Sequence, residues 1–232
     1  MQIGSPEWSQ LIIDGARAFD LDLDSRHTDQ FAAHALELLH WNRTINLTTV
    51  IDPRQIALKH FVDSLAPAEL ISPGATLLDI GSGGGFPGLA LKVAVPSLAV
   101  TLVDASRKKV SFLKHVIRSL GLEGVEALCI RAEDLAAGPT SRGCFDLIIS
   151  RALANLKSYF YQARPLLAVT GTIIALKGRV DRAEVEALES CIRQASTQST
   201  GQQRSFSLAV ETYTLPFSRS HRSIFTIRPI EG

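Results

Sequence analysis

The sequence is poor in the features that would tie it to several large classes of protein. Its three cysteines, Cys129, Cys144 and Cys191, are few and odd in number. No two form a C-x-x-C pair, which argues against a disulfide framework or a zinc site. Cys129 lies in an apolar run and is expected to be a small buried hydrophobe. No Cys/His cluster has ligand spacing, so no metal is expected. No run reaches the roughly 18 apolar residues of a membrane-spanning helix, so no membrane association is expected. The opening MQIGSPEWSQ has no basic region followed by an apolar one. No secretory signal is therefore expected, and a reducing cytoplasm is the expected location. Neither sign of charge dominates, the net charge being +1. A nucleic-acid partner is not signalled by such a balance, yet it stays open, because charge can be segregated on one face.

What is present is a core-forming chain of 232 residues, 46% hydrophobic and 20% charged, as ordinary globular folds are. Residues 6 to 72 read as helices. Trp8, Leu11, Ile12, Ala16 and Phe19 recur at helical spacing, as do Phe31, Ala35, Leu38 and Leu39, and then Leu58, Phe61, Val62 and Leu65. Ser72-Pro73-Gly74 breaks the pattern. Short apolar runs then alternate with amphipathic segments. Strands are expected at Thr76–Ile80, Ala99–Val103, Val125–Ile130, Asp146–Ser150 and Thr172–Leu176. Helices are expected at Pro87–Val95, Ser106–Leu120, Leu153–Leu167 and Asp181–Ala195. This alternation implies a parallel sheet with right-handed crossovers. Ser196 to Ser205 reads as a polar loop, and Ser207–Leu215 and Ser223–Ile230 as an antiparallel hairpin at one sheet edge. The expected fold class is thus α/β and Rossmann-like, with a helical extension over residues 1–72 packed on a core over residues 73–232.

The first strand leads into Leu77-Leu78-Asp79-Ile80-Gly81-Ser82-Gly83-Gly84-Gly85-Phe86-Pro87-Gly88. Glycines let a backbone turn sharply and come close to a ligand, and ligands of open α/β sheets bind beyond the strands' carboxyl ends. Gly83, Gly85 and Gly88 satisfy the dinucleotide pattern G-x-G-x-x-G, a weak signal on its own. The alternative reading, Asp79-x-Gly81-x-Gly83-x-Gly85, resembles motif I of class I methyltransferases, which bind S-adenosylmethionine. An acidic residue at Asp79 suits the ammonium group of that ligand and is an awkward neighbour for a pyrophosphate. Asp104 ends the second strand 23 residues after Gly81, near the spacing of a ribose-binding carboxylate. Arg131-Ala132-Glu133-Asp134 follows the third strand, where this fold meets adenine. The alternative for Asp104 and Glu133 is a solvated strand end or helix cap.

At this point a family resemblance becomes specific. His60-Phe61-Val62-Asp63-Ser64-Leu65, taken with the glycine loop, resembles the bacterial RsmG (GidB) family. So do Trp41-Asn42-x-x-x-Asn46-Leu47-Thr48, Gly85-Phe86-Pro87-Gly88, Ser150-Arg151-Ala152 and Ala175-Leu176-Lys177-Gly178. The resemblance spans about residues 30 to 230. It implies a class I methyltransferase that transfers a methyl group from S-adenosylmethionine to N7 of guanine 527 in 16S ribosomal RNA, free or in the small ribosomal subunit. It also implies that Gly81, Phe86, Ala132, Glu133 and Arg151 contact or line the donor site, and that His60 and Asp63 cover it. On periodicity alone, His60 is a polar-face helix residue.

Absences bear on the acceptor. The segment Ser150-Arg151-Ala152-Leu153 stands where enzymes that methylate exocyclic amines carry [NDS]-P-P-[YFW]. Neither Cys144 nor Cys191 is placed to be the nucleophile that 5-methylcytosine formation needs. Guanine N7 needs neither, because its lone pair lies in the ring plane and it has no proton to lose. No acid or base residue is then required, and Arg151 is the candidate orienting residue. The donor's carboxylate, a guanine edge and an RNA phosphate are all open to it. The structural alternative is a salt bridge to Asp79 or Asp146. RNA-binding candidates are His60, Lys177 and a basic stripe of Arg107, Lys114 and Arg118 opposite the apolar Val110, Leu113, Val116, Ile117 and Leu120. A solvated helix face is the plainer reading of that stripe. Two other functions stay open: a class I methyltransferase of small molecules, since fold does not set substrate, and a nucleotide- or RNA-binding module without activity.

Overall fold

The computed structural model describes residues 1–138, 141–151, 155–178, 180–197 and 204–230. Helices α1 (Pro6–Arg17) and α2 (Ser25–Asn42) open the chain. Ser5 caps α1 by accepting from the Trp8 N–H, and Asp24 with His27 forms a capping box on α2. A continuous helical segment follows, made of α3 (Pro53–Ile56), a π-helical stretch (Ala57–Val62) and α4 (Asp63–Leu65). Strands β1 (Thr76–Ile80), β2 (Ala99–Val103), β3 (Val125–Leu128), β4 (Phe145–Arg151) and β5 (Leu167–Lys177) then alternate with α5 (Gly88–Ala94), α6 (Arg107–Ser119), α7 (Ala132–Ala137) and α8 (Leu156–Ala163). The last described elements are α9 (Arg182–Thr197) and the strands β6 (Ser205–Thr214) and β7 (His221–Ile230).

The seven strands form one sheet in the order β3-β2-β1-β4-β5-β7-β6. Strands β1 to β5 pair in parallel, and β7 runs antiparallel to both β5 and β6. The hairpin therefore lies at the sheet edge, as its two helix-free runs imply. Alternation along β1 sorts its side chains between two layers. Leu77 joins a core shared with Trp8, Ile12, Phe31, Leu38, Phe61, Leu89 and Leu113. Leu78 and Ile80 join a second core with Tyr159, Phe160, Leu188 and Phe225. Residues 1 to 72 thus share one apolar layer with α5 and α6 on one face of the sheet.

Several expected boundaries move. The third strand stops at Leu128, and Ala132–Ala137 forms a helix too short to show a period. Cys129, just past this edge strand, is exposed, while Cys191 is buried. The expected Leu153–Leu167 helix begins at Leu156 and ends at Ala163, before Pro165, and Leu167 already belongs to β5. Residues 152–154 lie outside the described residues. The early part of β5 was hidden by Thr170-Gly171-Thr172, where the register slips and a Cβ on Gly171 would lie 2.9 Å from the Phe145 carbonyl oxygen. Helix α9 runs to Thr197, two residues into the expected loop.

Close packing sets the position of the π-helical stretch. A Cβ on Gly15 of α1 would lie 2.6 and 2.8 Å from the two methyl carbons of Val62. Gly15→Val should lower stability by about 1–3 kcal/mol through overpacking, measured by urea unfolding. Combining it with Val62→Ala should cost less than the sum of the two single changes. Strict additivity would mean that the two positions do not press on one another.

Candidate functional site

The chain crosses from one side of β1 to the other between β3 and β4, so the carboxyl ends of β1, β2 and β4 meet at a topological switch point. The glycine loop fills it. Gly81 and Ser82 both donate their N–H to the Val103 carbonyl, at 2.8 and 3.1 Å. Gly83 donates to Asp104 Oδ2 at 3.1 Å, and Ser106 to Asp104 Oδ1 at 2.8 Å. Lys109 Nζ lies 3.9 Å from Oδ2. Asp104 thus fastens the loop to the end of β2.

The glycines divide by what surrounds them. Gly81 and Gly83 have φ of +74° and +54°. A Cβ on Gly81 would meet nothing within 4 Å, and one on Gly83 only the Gly81 carbonyl at 3.7 Å. Their outer faces form an open cradle that side chains at these positions would fill, which fits a ligand lying along the loop. Gly85, with φ of +87°, is tight instead: a Cβ there would lie 2.6 Å from Leu89 Cδ1.

Asp79 lies beneath the loop, fully buried. Its Oδ2 accepts the Gly88 N–H at 2.9 Å, and its Oδ1 has no hydrogen-bond partner. Burial raises its pKa to about 7, against the opposing pull of the Gly88 N–H and of Arg151. A Cβ on Gly88 would lie 2.8 Å from Asp79 Oδ2, so Asp79 reaches the start of α5 only because residue 88 is glycine. Ala132 is buried as the first residue of α7, and exposed Glu133 accepts from Gln162 Nε2 at 2.7 Å.

Phe86 ends the loop and organises the other side of the site. The rings of His34 and His60 each stack on it, with centroids 4.8 and 4.7 Å away and interplanar angles of 8° and 15°. The Arg151 guanidinium carbon sits 5.0 Å from the same ring centroid. Arg151 pairs with neither Asp79 nor Asp146. It donates to the Lys59 carbonyl at 2.6 Å and to His60 Nδ1 at 3.3 Å. Because Nδ1 accepts, His60 carries its proton on Nε2 and donates it to Thr48 Oγ1, 2.9 Å away. Asn42 Oδ1 accepts from the N–H groups of Leu47 and Thr48, folding residues 46–50 over the site.

A cavity of about 760 Å³ opens beside this network. Loop residues 46–50, Lys59, His60 and Asp63 line one part, and Arg151, Leu176, Lys177, Gly178 and Arg222 another. Asp63 Oδ1 accepts from Tyr213 Oη and Arg222 Nε, each at 3.0 Å, which ties the helical segment to the edge hairpin. Lys177 Nζ is held by both oxygens of Glu184 at 2.6 Å. Arg107, Lys114 and Arg118 are exposed on α6, and none of them lines the cavity.

Sequence reasoning missed His34. It is buried on α2, donates from Nε2 to the Gly84 carbonyl at 2.8 Å and leaves Nδ1 without a partner. The available signal was a histidine on the apolar face set by Phe31, Ala35 and Leu38. Tyr213 and Arg222 were also unread as partners of Asp63, since nothing local connects them. Among the described residues, no cluster of three or more His, Cys, Asp or Glu side chains could hold a metal ion, and no helix is long and apolar enough to cross a membrane.

This sheet order, with a glycine cradle at its switch point and an acidic residue closing β2, defines the class of S-adenosylmethionine-dependent methyltransferases. A methyltransferase of that description from Aquifex aeolicus superposes with a TM-score of 0.56 at 16% identity, over 76% of this chain and 94% of that one. TYW2 from M. jannaschii, solved in complex with AdoMet, gives 0.53 at 13% identity, over 72% and 75%. Within the class, the chain belongs to the GidB family, rRNA small subunit methyltransferase G, whose pattern matches residues 27–208. The relative of that name from Geotalea uraniireducens is 43% identical over 183 residues, covering 79% of this chain and 83% of its own. The one from Geobacter metallireducens is 38% identical over 221 residues, covering 95% and 96%.

Burial of the site's titratable groups gives stability two opposed dependences on pH. Burial lowers the pKa of His34 to about 4 and that of His60 to about 3, with Arg151 adding to the shift at His60. The unfolded chain takes up protons that these rings refuse, so their contribution falls as pH drops below about 6.5. Asp79 acts oppositely. The folded protein keeps a proton there that the unfolded chain has released, so stability falls as pH rises from the ordinary value of 3.8 to about 7. Only the second dependence is removed in Asp79→Asn. Relative to that variant, the wild type should lose stability between about pH 4.5 and 7 and stay level above, read from urea midpoints. A difference that stays constant with pH would show Asp79 to be ionised throughout.

Proposed function

We propose that this protein transfers a methyl group from S-adenosylmethionine to N7 of a guanine in 16S ribosomal RNA, the family resemblance pointing to guanine 527. The observation that carries the reading is the pairing of two unlike sites across Phe86. On the β1–β2 side lies an open glycine cradle bordered by Asp104. On the β4–β5 side lies a cavity of about 760 Å³ reached by Arg151.

Bound S-adenosylmethionine supplies an electrophilic methyl group. Gly81 and Gly83 leave room for it along the backbone, Asp104 offers a carboxylate for ribose hydroxyls, and Ala132 and Glu133 stand where adenine would lie. Guanine N7 has a lone pair in the ring plane and no proton, so no side chain has to act as a base. That suits this site, where burial holds both nearby imidazoles neutral, with the charge of Arg151 adding to the effect at His60. What the residues supply is orientation and exclusion of water. Arg151, fixed by Lys59, His60 and Phe86, is the orienting group. The exposed cations of α6 serve to hold RNA phosphates, which a net charge of only +1 does not prevent.

The defining experiment maps 7-methylguanine in 16S rRNA from cells with and without this gene. Loss of one such site on deletion is expected, and an unchanged map would refute the reading. With chemistry limiting and donor saturating, the single-turnover rate should be level from about pH 7.5 to 9, above the titration of Asp79. A log-linear rise over that range would require a base and so a different acceptor. Arg151→Lys keeps the charge but loses the planar fork that reaches Lys59 and His60 together. Its turnover should fall about tenfold or more, a loss of at least roughly 1.4 kcal/mol in transition-state stabilisation.

A further inference from the structure

The cavity beside Arg151 contains one acidic residue among those that line it, Asp63. We infer that Asp63 is the residue that identifies the target base, by accepting hydrogen bonds from N1–H and N2–H of a guanine turned out of its helix; this rests on the guanine-N7 reading above.

The inference begins with the acceptor's chemistry. An enzyme that methylates N7 has to leave that lone pair free, so it cannot recognise guanine there. The base must then be read on its Watson–Crick edge. Guanine alone presents two adjacent N–H donors on that edge, N1–H and N2–H, which match a carboxylate. Adenine and cytosine place a ring-nitrogen lone pair there, and uracil offers a single N–H between two carbonyls. N7 of paired guanine also lies in the deep, narrow major groove of an RNA helix, closed to side chains. The base is therefore taken from a single strand or extruded, as in other enzymes that modify bases.

Asp63 is built for such a role. It is 6% exposed. Its carboxylate offers about four acceptor positions, two on each oxygen. Both hydrogen bonds it receives go to Oδ1, from Tyr213 Oη and Arg222 Nε. Oδ2 receives none among the described residues, and it is not one of the buried unpartnered atoms, so it keeps accessible surface. Oδ1 holds both protein donors and Oδ2 holds none, so Oδ2 is the atom left to receive guanine's adjacent donors. The donors on Oδ1 come from β6 and β7, while Asp63 opens α4, so the carboxylate is fixed from three elements before any base arrives. Such a site rejects analogues that leave a buried acceptor unpaired. Guanine docked by this edge keeps N7 on its opposite, imidazole side, clear of Asp63.

The test uses small ribosomal subunits reconstituted with 16S rRNA carrying guanosine or inosine at the methylated position. Inosine keeps N7 and N1–H and lacks the N2 amine. Single-turnover efficiency on the two substrates is compared as a ratio, so that their intrinsic N7 reactivity cancels between protein variants. The wild type should favour guanosine by about tenfold or more. In Asp63→Asn this ratio should collapse toward unity, whatever happens to the absolute rate. Tyr213→Phe removes one support from Oδ1 and leaves Oδ2 in place. It should lower stability or turnover yet keep most of the ratio. A wild type indifferent to inosine overturns the inference even if Asp63→Asn fails to fold. So does an Asp63→Asn that keeps the wild-type ratio, or a Tyr213→Phe that loses it equally. Mass spectrometry of the guanosine product separates the two claims. If 7-methylguanosine is formed, the acceptor reading stands however the ratio falls. If none is formed, the acceptor reading and the inference fail together.

Discussion

Arg151 reaching back to the Lys59 carbonyl and the His60 ring is the constraint around which the site is organised. The arginine closes β4 at the centre of the sheet, and its acceptors sit in the π-helical stretch that precedes the sheet. A π-helical turn disturbs the regular backbone ladder, and here one of its carbonyls takes an arginine N–H. With the guanidinium committed to that carbonyl and to Nδ1, the tautomer of His60 is set, and with it the bond to Thr48. Phe86 is then held between the glycine loop and these groups by stacking. Cradle, cavity wall and pre-sheet helix therefore share one set of contacts, and none can shift alone.

Electrostatics follow from the same burial. A charged Asp79 under the loop and charged imidazoles beside Phe86 would each be costly in so dry a setting. The fold answers by holding the imidazoles neutral and raising the carboxyl of Asp79; burial also lowers the pKa of Arg151, a pull that the nearby carboxylate of Asp63 opposes. Positive charge beside Phe86 is therefore carried by a guanidinium, a group that does not give up its proton at ordinary pH.

Much of this was legible from residue order, for identifiable reasons. Strands β1 and β2 are buried apolar runs bounded by turn residues, so their limits were readable to the residue. The glycine loop announced itself by composition, and the edge hairpin by the lack of a helix between two apolar runs. What stayed hidden was either too short or too distant. Helix α7 has six residues, less than two full turns. Cys129 looked buried because its neighbours are apolar, but β3 is an edge strand and ends before it. His34 resembled a stray polar residue on an apolar face until Gly84 appeared beside it. The role of Lys177 could not be read, because its partner Glu184 lies beyond the end of the strand and on another element. Asp63, Tyr213 and Arg222 meet from opposite ends of the chain, a relation that no local pattern encodes.

The two halves of the site differ in the chain length their contacts enclose. The bond from Gly83 to Asp104 spans 21 residues, whereas those joining Arg151 to Lys59, and Tyr213 and Arg222 to Asp63, span 92, 150 and 159. Closing a short loop costs less entropy than closing a long one, and local contacts form sooner. By loop-closure cost alone, the glycine cradle is therefore the less costly part of the site to assemble, and the cavity the more costly. Under the proposed function, a molecule with the first part formed and the second still open would hold the methyl donor with nowhere to seat a base, and so would be loaded yet inert.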